Sequence, residues 1–141
     1  MEKYKSVEVI KRGGPENLVV VEKELRSPSA GEAQVKVMAV PVCAPDVTAR
    51  LGQSPFVPKP PYTPGYAFIG VVDAVGEGVT GTKVGELVAG LTSYGSYSEV
   101  VYWDAEKLIP VPAGLDYGEA ATLILNYIVA YHAMHWRVQV K

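Results

Sequence analysis

The stretch Pro61-Tyr62-Thr63-Pro64-Gly65 and the apolar run that follows it constrain the fold more than any other part of the chain. Two prolines and Gly65 set an entry turn, because proline fixes φ and removes a backbone donor. Tyr66 to Val75 is apolar, rich in β-branched residues and bounded by glycines, which predicts a buried strand. Gly70 falls inside it, where a glycine marks a bulge or a sharp bend, as at the corner of a small barrel. Gly76-Glu77-Gly78-Val79-Thr80-Gly81 then matches the pattern G-x-G-x-x-G, and Glu99 stands at about the 20-residue spacing of a ribose-binding acid. A dinucleotide turn needs a helix to follow, because the pyrophosphate sits on the helix N-terminus. Thr82 to Gly90 contain two further glycines and no helical period, so the motif is read as a hairpin turn.

Short apolar runs separated by glycine and proline continue on both sides. The chain has 14 Gly and 11 Pro in 141 residues, and such punctuation favours a barrel of short strands over a helical bundle. Residues 6–23 read as a hairpin-like pair around the turn Gly13 to Asn17. Gln34 to Val40 alternates and predicts a strand with one wet face. Asp46 is read as the cap of a short helix near 46–51, ended by Gly52. Glu86–Ala89 and the segment after Gly95 are further strands. Leu108 to Pro112 carries two prolines and is placed at an edge.

The texture changes at Leu115. Asp116 with Glu119 three residues on forms a capping-box pair, opening two helices near 117–136 that Asn126 separates. Both are apolar nearly all round, and a barrel covers one side only. Tyr127 to Trp136 is therefore expected to pack on a further domain or a second copy, or else to fray.

Several classes are disfavoured. Net charge is −2 with no basic stripe, which argues against nucleic acid. No apolar run reaches about 18 residues, so no membrane-spanning helix is expected. The N-terminal residues lack the apolar core of a signal peptide. The single cysteine, Cys43, excludes an intrachain disulfide and suits a reducing cytosol, so a cytoplasmic protein is expected.

In order and spacing, Pro61–Gly65, Gly70–Gly76, Lys83–Val88, Gly95–Glu99 and Ala120-Ala121 with Ala130-Tyr131 resemble the N-terminal, GroES-like half of the zeta-crystallin-like quinone oxidoreductases. These belong to the medium-chain dehydrogenase/reductase superfamily. The resemblance implies a mainly β, GroES-like, partly open barrel over residues 1–115. Residues 116–141 would then be a helical connection to a Rossmann domain not present in this chain. It also implies NADPH, bound mainly by that absent domain, a quinone or enone as substrate, and a homodimer when full length.

The zinc alcohol dehydrogenases of the same superfamily carry Cys-x-x-Asp and Gly-His-Glu. Here Cys43-Ala44-Pro45-Asp46 keeps the first, while Gly65-Tyr66-Ala67 replaces the second. Tyrosine, with a pKa of about 10, is a poor zinc ligand at neutral pH, and catalytic zinc needs three good protein ligands. No zinc is therefore expected. Cys43 is either a small buried residue or a lining residue of the nicotinamide pocket, two readings that are compatible. The resemblance places Cys43, Asp46, Thr48, Tyr66, Asn126 and Val129 at the substrate and cofactor cleft. Thr48 stands where many quinone reductases have a pocket tyrosine, and Val129 where they often have threonine. His132 and His135 could share a helix face but lack a third metal ligand nearby. The leading expectation is a zinc-independent NAD(P)H-dependent quinone or enone reductase, whose catalytic residues the sequence does not name and whose isolated fragment is inactive. The alternatives are a stand-alone, non-catalytic GroES-like module, or a fragment of a zinc alcohol dehydrogenase.

Overall fold

A computed structural model describes residues 2–140. Met1 and Lys141 lie outside the described residues, and with Lys141 the last residue of the expected helical connection. Seven strands carry the fold: β1 (Lys3–Val9), β2 (Leu18–Glu24), β3 (Glu32–Ala39), β4 (Ala67–Val75), β5 (Leu87–Leu91), β6 (Val100–Asp104) and β7 (Ile109–Pro110). β1 and β2 form the expected antiparallel hairpin. The other five make one sheet in the order β6-β3-β4-β5-β7, with the two-proline segment at its edge as expected. The hairpin joins this sheet at Ser6 opposite Ser98, and reaches the proline loop at Val9 opposite Tyr62. The result is a mainly β, partly open barrel.

β4 is central, and both of its faces are buried from Ala67 to Gly70. Phe68 and Val72 join Ala33, Val35, Val88, Val101 and Ala105 in one core. Ala67 and Ile69, which point the other way, join Ala89, Ala120, Ala121 and Ile124 in a second. Alternate residues feeding two cores explain why this strand reads as an unbroken apolar run. Burying a Phe or Ile side chain is worth about 1.5–3 kcal/mol, so the strand is a large share of the stability. At Gly70 the backbones of β3 and β4 close in: a Cβ there would lie 2.5 Å from the Lys36 carbonyl oxygen. The β3–β4 register shifts between Val37 and Ala39, next to Gly70. The irregularity expected at this glycine is thus present.

No helix follows Gly76–Gly81. The segment is the turn that carries β4 towards β5. Gly76 is there for packing, since a Cβ would stand 1.8 Å from the Ser29 carbonyl oxygen. Its N–H donates to the Glu32 carbonyl at 2.8 Å, and Gly31 N–H donates to the Glu77 carbonyl at 2.9 Å.

Among the described residues there are three α-helices, α1 (Ala44–Arg50), α2 (Tyr117–Thr122) and α3 (Ile128–His132), and α3 runs on into a π-helical stretch over Ala133–Val138. The capping box at α2 is as expected. Asp116 Oδ1 accepts from Gly118 N at 2.8 Å and from Glu119 N at 3.4 Å, and Glu119 Oε2 accepts from Asp116 N at 3.4 Å. Asn126 was expected to separate two helices. Instead α2 and α3 are continuous through a π turn over Leu123–Tyr127 that contains Asn126. Asparagine is a weak helix former but supplies a backbone N–H, so it widens the turn without ending the helix. Beyond Ile124 no residue of this run is buried: Tyr127 is 63% exposed and Trp136 70%.

Gly76→Ala should lower stability by about 3 kcal/mol, the upper end of overpacking costs, because the obstructing atom is backbone. Gly78→Ala, at φ +80° but in open space, should cost about 1 kcal/mol. Urea unfolding of the two variants checks the ordering.

Candidate functional site

The site is built where the chain leaves β3. Pro41 and Cys43 are buried and Val42 between them is exposed. Cys43 has an extended backbone and is the residue that precedes α1. The reading of Asp46 as the helix cap is therefore corrected. Asp46 lies inside the first turn and reaches back, its Oδ2 accepting from Cys43 N at 2.9 Å. A thiol is a weak acceptor, and Pro45 has no N–H to satisfy, so the carboxyl of the third helical residue takes over the capping work. Asp46 is 6% exposed.

The turn at Gly65 lies against this helix start. Gly65 has φ +105°, and a Cβ would fall 2.2 Å from Ser96 Oγ and 2.9 Å from Tyr97 N. Only glycine lets the loop of residues 92–97 lie flush on the turn. The loop is then held by four bonds. Gly95 N and Tyr97 N donate to the Pro64 carbonyl at 3.2 and 3.0 Å, and Thr92 N donates to the Tyr66 carbonyl at 2.8 Å. Thr92 Oγ1 donates to the Gly65 carbonyl at 2.8 Å. Across the turn, Lys23 Nζ donates to Thr63 Oγ1 at 2.9 Å, so the hairpin anchors the same loop.

One carboxyl therefore sits among several protic groups. Burial raises the pKa of Asp46, an effect opposed by the Cys43 N–H, the Tyr97 hydroxyl and the Gly65 N–H. The Tyr97 hydroxyl is turned towards the carboxyl without closing a full hydrogen bond. Both Tyr97 Oη and Asp46 Oδ1 are buried and lack a partner. Burial, then the neighbouring Asp46, pushes up the pKa of the Cys43 thiol, the Tyr66 phenol and, further still, the Tyr97 phenol. All three remain protonated at neutral pH. Each is a donor, and none is an anionic ligand.

From the helical side, the Cys43 thiol donates to Asn126 Oδ1 at 3.6 Å. That contact orients the carboxamide, and its NH2 makes no hydrogen bond to any described residue. Of the residues expected at the cleft, the structure brings together Cys43, Asp46, Tyr66 and Asn126. Thr48 and Val129 stand on exposed helix surface, and the Thr48 hydroxyl is spent on the Pro45 carbonyl at 3.0 Å. His132 stacks on Trp136 with ring centres 4.6 Å apart. No cluster of three metal-binding side chains occurs among the described residues. Sequence reasoning missed Tyr97. Its signal was the segment Gly95–Glu99, whose role becomes visible only with the Gly65 contact.

Residues 29–113 match the alcohol dehydrogenase GroES-like domain. The synaptic vesicle membrane protein VAT-1 homolog of Danio rerio is 36% identical over 129 residues, which are 91% of this chain and 27% of that protein. The 2-haloacrylate reductase of Burkholderia sp is 37% identical over 136 residues, 93% of this chain and 41% of that protein. Among solved structures, Escherichia coli quinone oxidoreductase complexed with NADPH superposes with a TM-score of 0.84 at 32% identity. It covers 91% of this chain and 39% of that one. The chain thus spans roughly a quarter to two fifths of the length of the curated relatives it matches. It belongs to the alcohol dehydrogenase GroES-like domain family, as that domain of a quinone-oxidoreductase-like medium-chain dehydrogenase/reductase.

Asp46→Asn tests the buried carboxyl. The folded pKa is raised above the ordinary 3.8, so the folded state holds the proton more tightly than the unfolded one. Wild-type stability should then fall as pH rises from about 4 through the raised value, and level off above it. Asn keeps an acceptor for Cys43 N–H and removes the titration. The melting temperature of the variant relative to wild type should climb between pH 4 and 7. Glu32, which Arg26 holds down to about 2, loses its contribution as pH falls below 4.5, equally in both proteins.

Proposed function

We propose that this chain is the substrate-side domain of an NADPH-dependent reductase of quinones or activated enones that works without zinc. The observation that carries the reading is the donor set around Asp46. A catalytic zinc wants three deprotonated or neutral-nitrogen ligands. The site offers one thiol, a phenol, which is a poor zinc ligand at neutral pH, and a carboxyl already bound to Cys43 N–H, and no group of three His, Cys, Asp or Glu side chains occurs among the described residues. These residues do not fit zinc. Without a Lewis acid to polarise a substrate oxygen, acceptors that are reduced readily are favoured over simple alcohols.

The residues fit a nicotinamide better. Asn126, oriented by the Cys43 thiol, has NH2 donors unspent for a carboxamide, and Val129 follows one turn later on the same helical run. NADPH bound there supplies the hydride, and the chain supplies position and polarity. In this reading residues 1–115 form the substrate-side wall, and residues 116–141 lead into a nucleotide-binding Rossmann domain. The complete enzyme is a homodimer acting on a small quinone or enone. The relatives' printed names, a haloacrylate reductase and a quinone oxidoreductase with NADPH, support that chemistry.

Two measurements test the reading. The complete protein carrying this domain should oxidise NADPH with a quinone or an enone at a rate unchanged by chelator, with well under about 0.1 zinc per chain. Stoichiometric zinc lost on Cys43→Ala, with activity lost to chelator, overturns it. The chain as given should not turn over, and should bind NADPH no tighter than about millimolar, since the Gly76–Gly81 turn opens no helix.

A further inference from the structure

Three phenols surround Asp46, and they are not equivalent. Tyr62 is 7% exposed, and its hydroxyl is buried without a partner. The Tyr97 hydroxyl is buried in the same way and turned to the carboxyl. Tyr66 is half-buried, its hydroxyl is not among the enclosed atoms, and it makes no hydrogen bond to any described residue. It is thus the one phenol of the three with a donor that a ligand can reach. Its place is fixed from behind, because its carbonyl accepts from Thr92 N at 2.8 Å and Gly65 before it is locked under Ser96 and Tyr97. Burial and the adjacent Asp46 keep it protonated. The charged and titratable groups bearing on this corner are Asp46, Cys43, Tyr62 and Tyr97, with Arg12 and Arg50 acting through Tyr62.

We propose that the Tyr66 hydroxyl holds the carbonyl oxygen of the acceptor as negative charge builds on it, and gives that oxygen its proton. This role rests on the reductase reading of the site. An enone accepts a hydride from the dihydronicotinamide at its β carbon, and the C=C electrons move so that the carbonyl oxygen becomes an enolate. The Tyr66 O–H bond breaks, a new O–H bond forms on the enolate oxygen, and the enol released tautomerises in water. The phenolate recovers its proton from solvent. The cofactor is oxidised and the enone reduced by one two-electron step. A neutral donor at a position that a metal would otherwise serve supplies the oxyanion stabilisation that a Lewis acid would give. Asp46 is a positioning residue: it fixes the start of α1 through Cys43 N–H.

The test has two arms. In the complete enzyme, Tyr66→Phe should lower kcat for an enone about 100-fold with KM changed less than threefold, the size of losing one oxyanion donor. The loss should be under tenfold for 1,4-benzoquinone, whose reduction needs less help. Tyr62→Phe should stay within twofold. Equal losses for both acceptors, or an unchanged kcat for the enone, overturn the proposal. The second arm needs no turnover. 4-Nitrophenolate, a mimic of the developing oxyanion, should bind the chain as given, and Tyr66→Phe should weaken it about tenfold by absorbance titration. If the enzyme reduces no acceptor but this binding depends on Tyr66, the reductase reading falls and the oxyanion site stands. If turnover is seen and neither arm depends on Tyr66, the reading stands and the proposal falls. If neither turnover nor Tyr66-dependent binding is seen, both fall.

Discussion

The site depends on one close approach, that of the loop 92–97 to Gly65. With φ at +105° and no Cβ, Gly65 lets Ser96 and Tyr97 lie directly on the turn. The Pro64 carbonyl then serves two N–H groups of the loop, and Thr92 closes it from the other side. The consequence is chemical as well as steric. Tyr97 is delivered to the Asp46 carboxyl, water is excluded, and the carboxyl is left with one buried oxygen that has no partner. A buried carboxyl without a cation is held towards its neutral form, and every phenol or thiol near it is held protonated.

The barrel behind the corner is what keeps these distances fixed. β4 runs straight on from Tyr66 and is buried on both faces from Ala67 to Gly70, so the turn is attached to a strand shared by both cores. α2 packs on one of those faces through Ala120 and Ala121. The helical run then leaves the barrel at Ile124, and its first residue on the site is Asn126, held by the Cys43 thiol. From Tyr127 onward the run presents Tyr127, Val129, Tyr131, Trp136 and Val138 outwards.

Much of this was legible in the sequence because it is local. The apolar run of β4, the hairpin around Gly13–Asn17, the two-proline edge strand and the Asp116–Glu119 capping box each declare themselves within a few residues. The false dinucleotide motif at Gly76–Gly81 was also decided locally, by the missing helix. What the sequence did not show is long-range or depends on burial. Asp46 reads as a cap because Asp is a good capping residue. Its real role follows from Cys43 being buried with an N–H to satisfy. Tyr97 lies 51 residues from Asp46 in the chain, and only the Gly65 contact brings them together. Asn126 reads as a helix breaker by propensity, and the packing of Ile124 and α2 on the sheet overrides that preference.

The central claim is that Asp46 is a buried carboxyl whose proton is held above the ordinary range by its surroundings. Its side-chain carboxyl carbon can be followed by NMR in the labelled chain as pH is raised from 2 to 8. The account predicts a single titration displaced above 3.8, unaffected by added zinc, and accompanied by a shift of the Cys43 amide proton bonded to it. A carboxyl that titrates at or below 3.8, or one that zinc displaces at stoichiometric concentration, would contradict it.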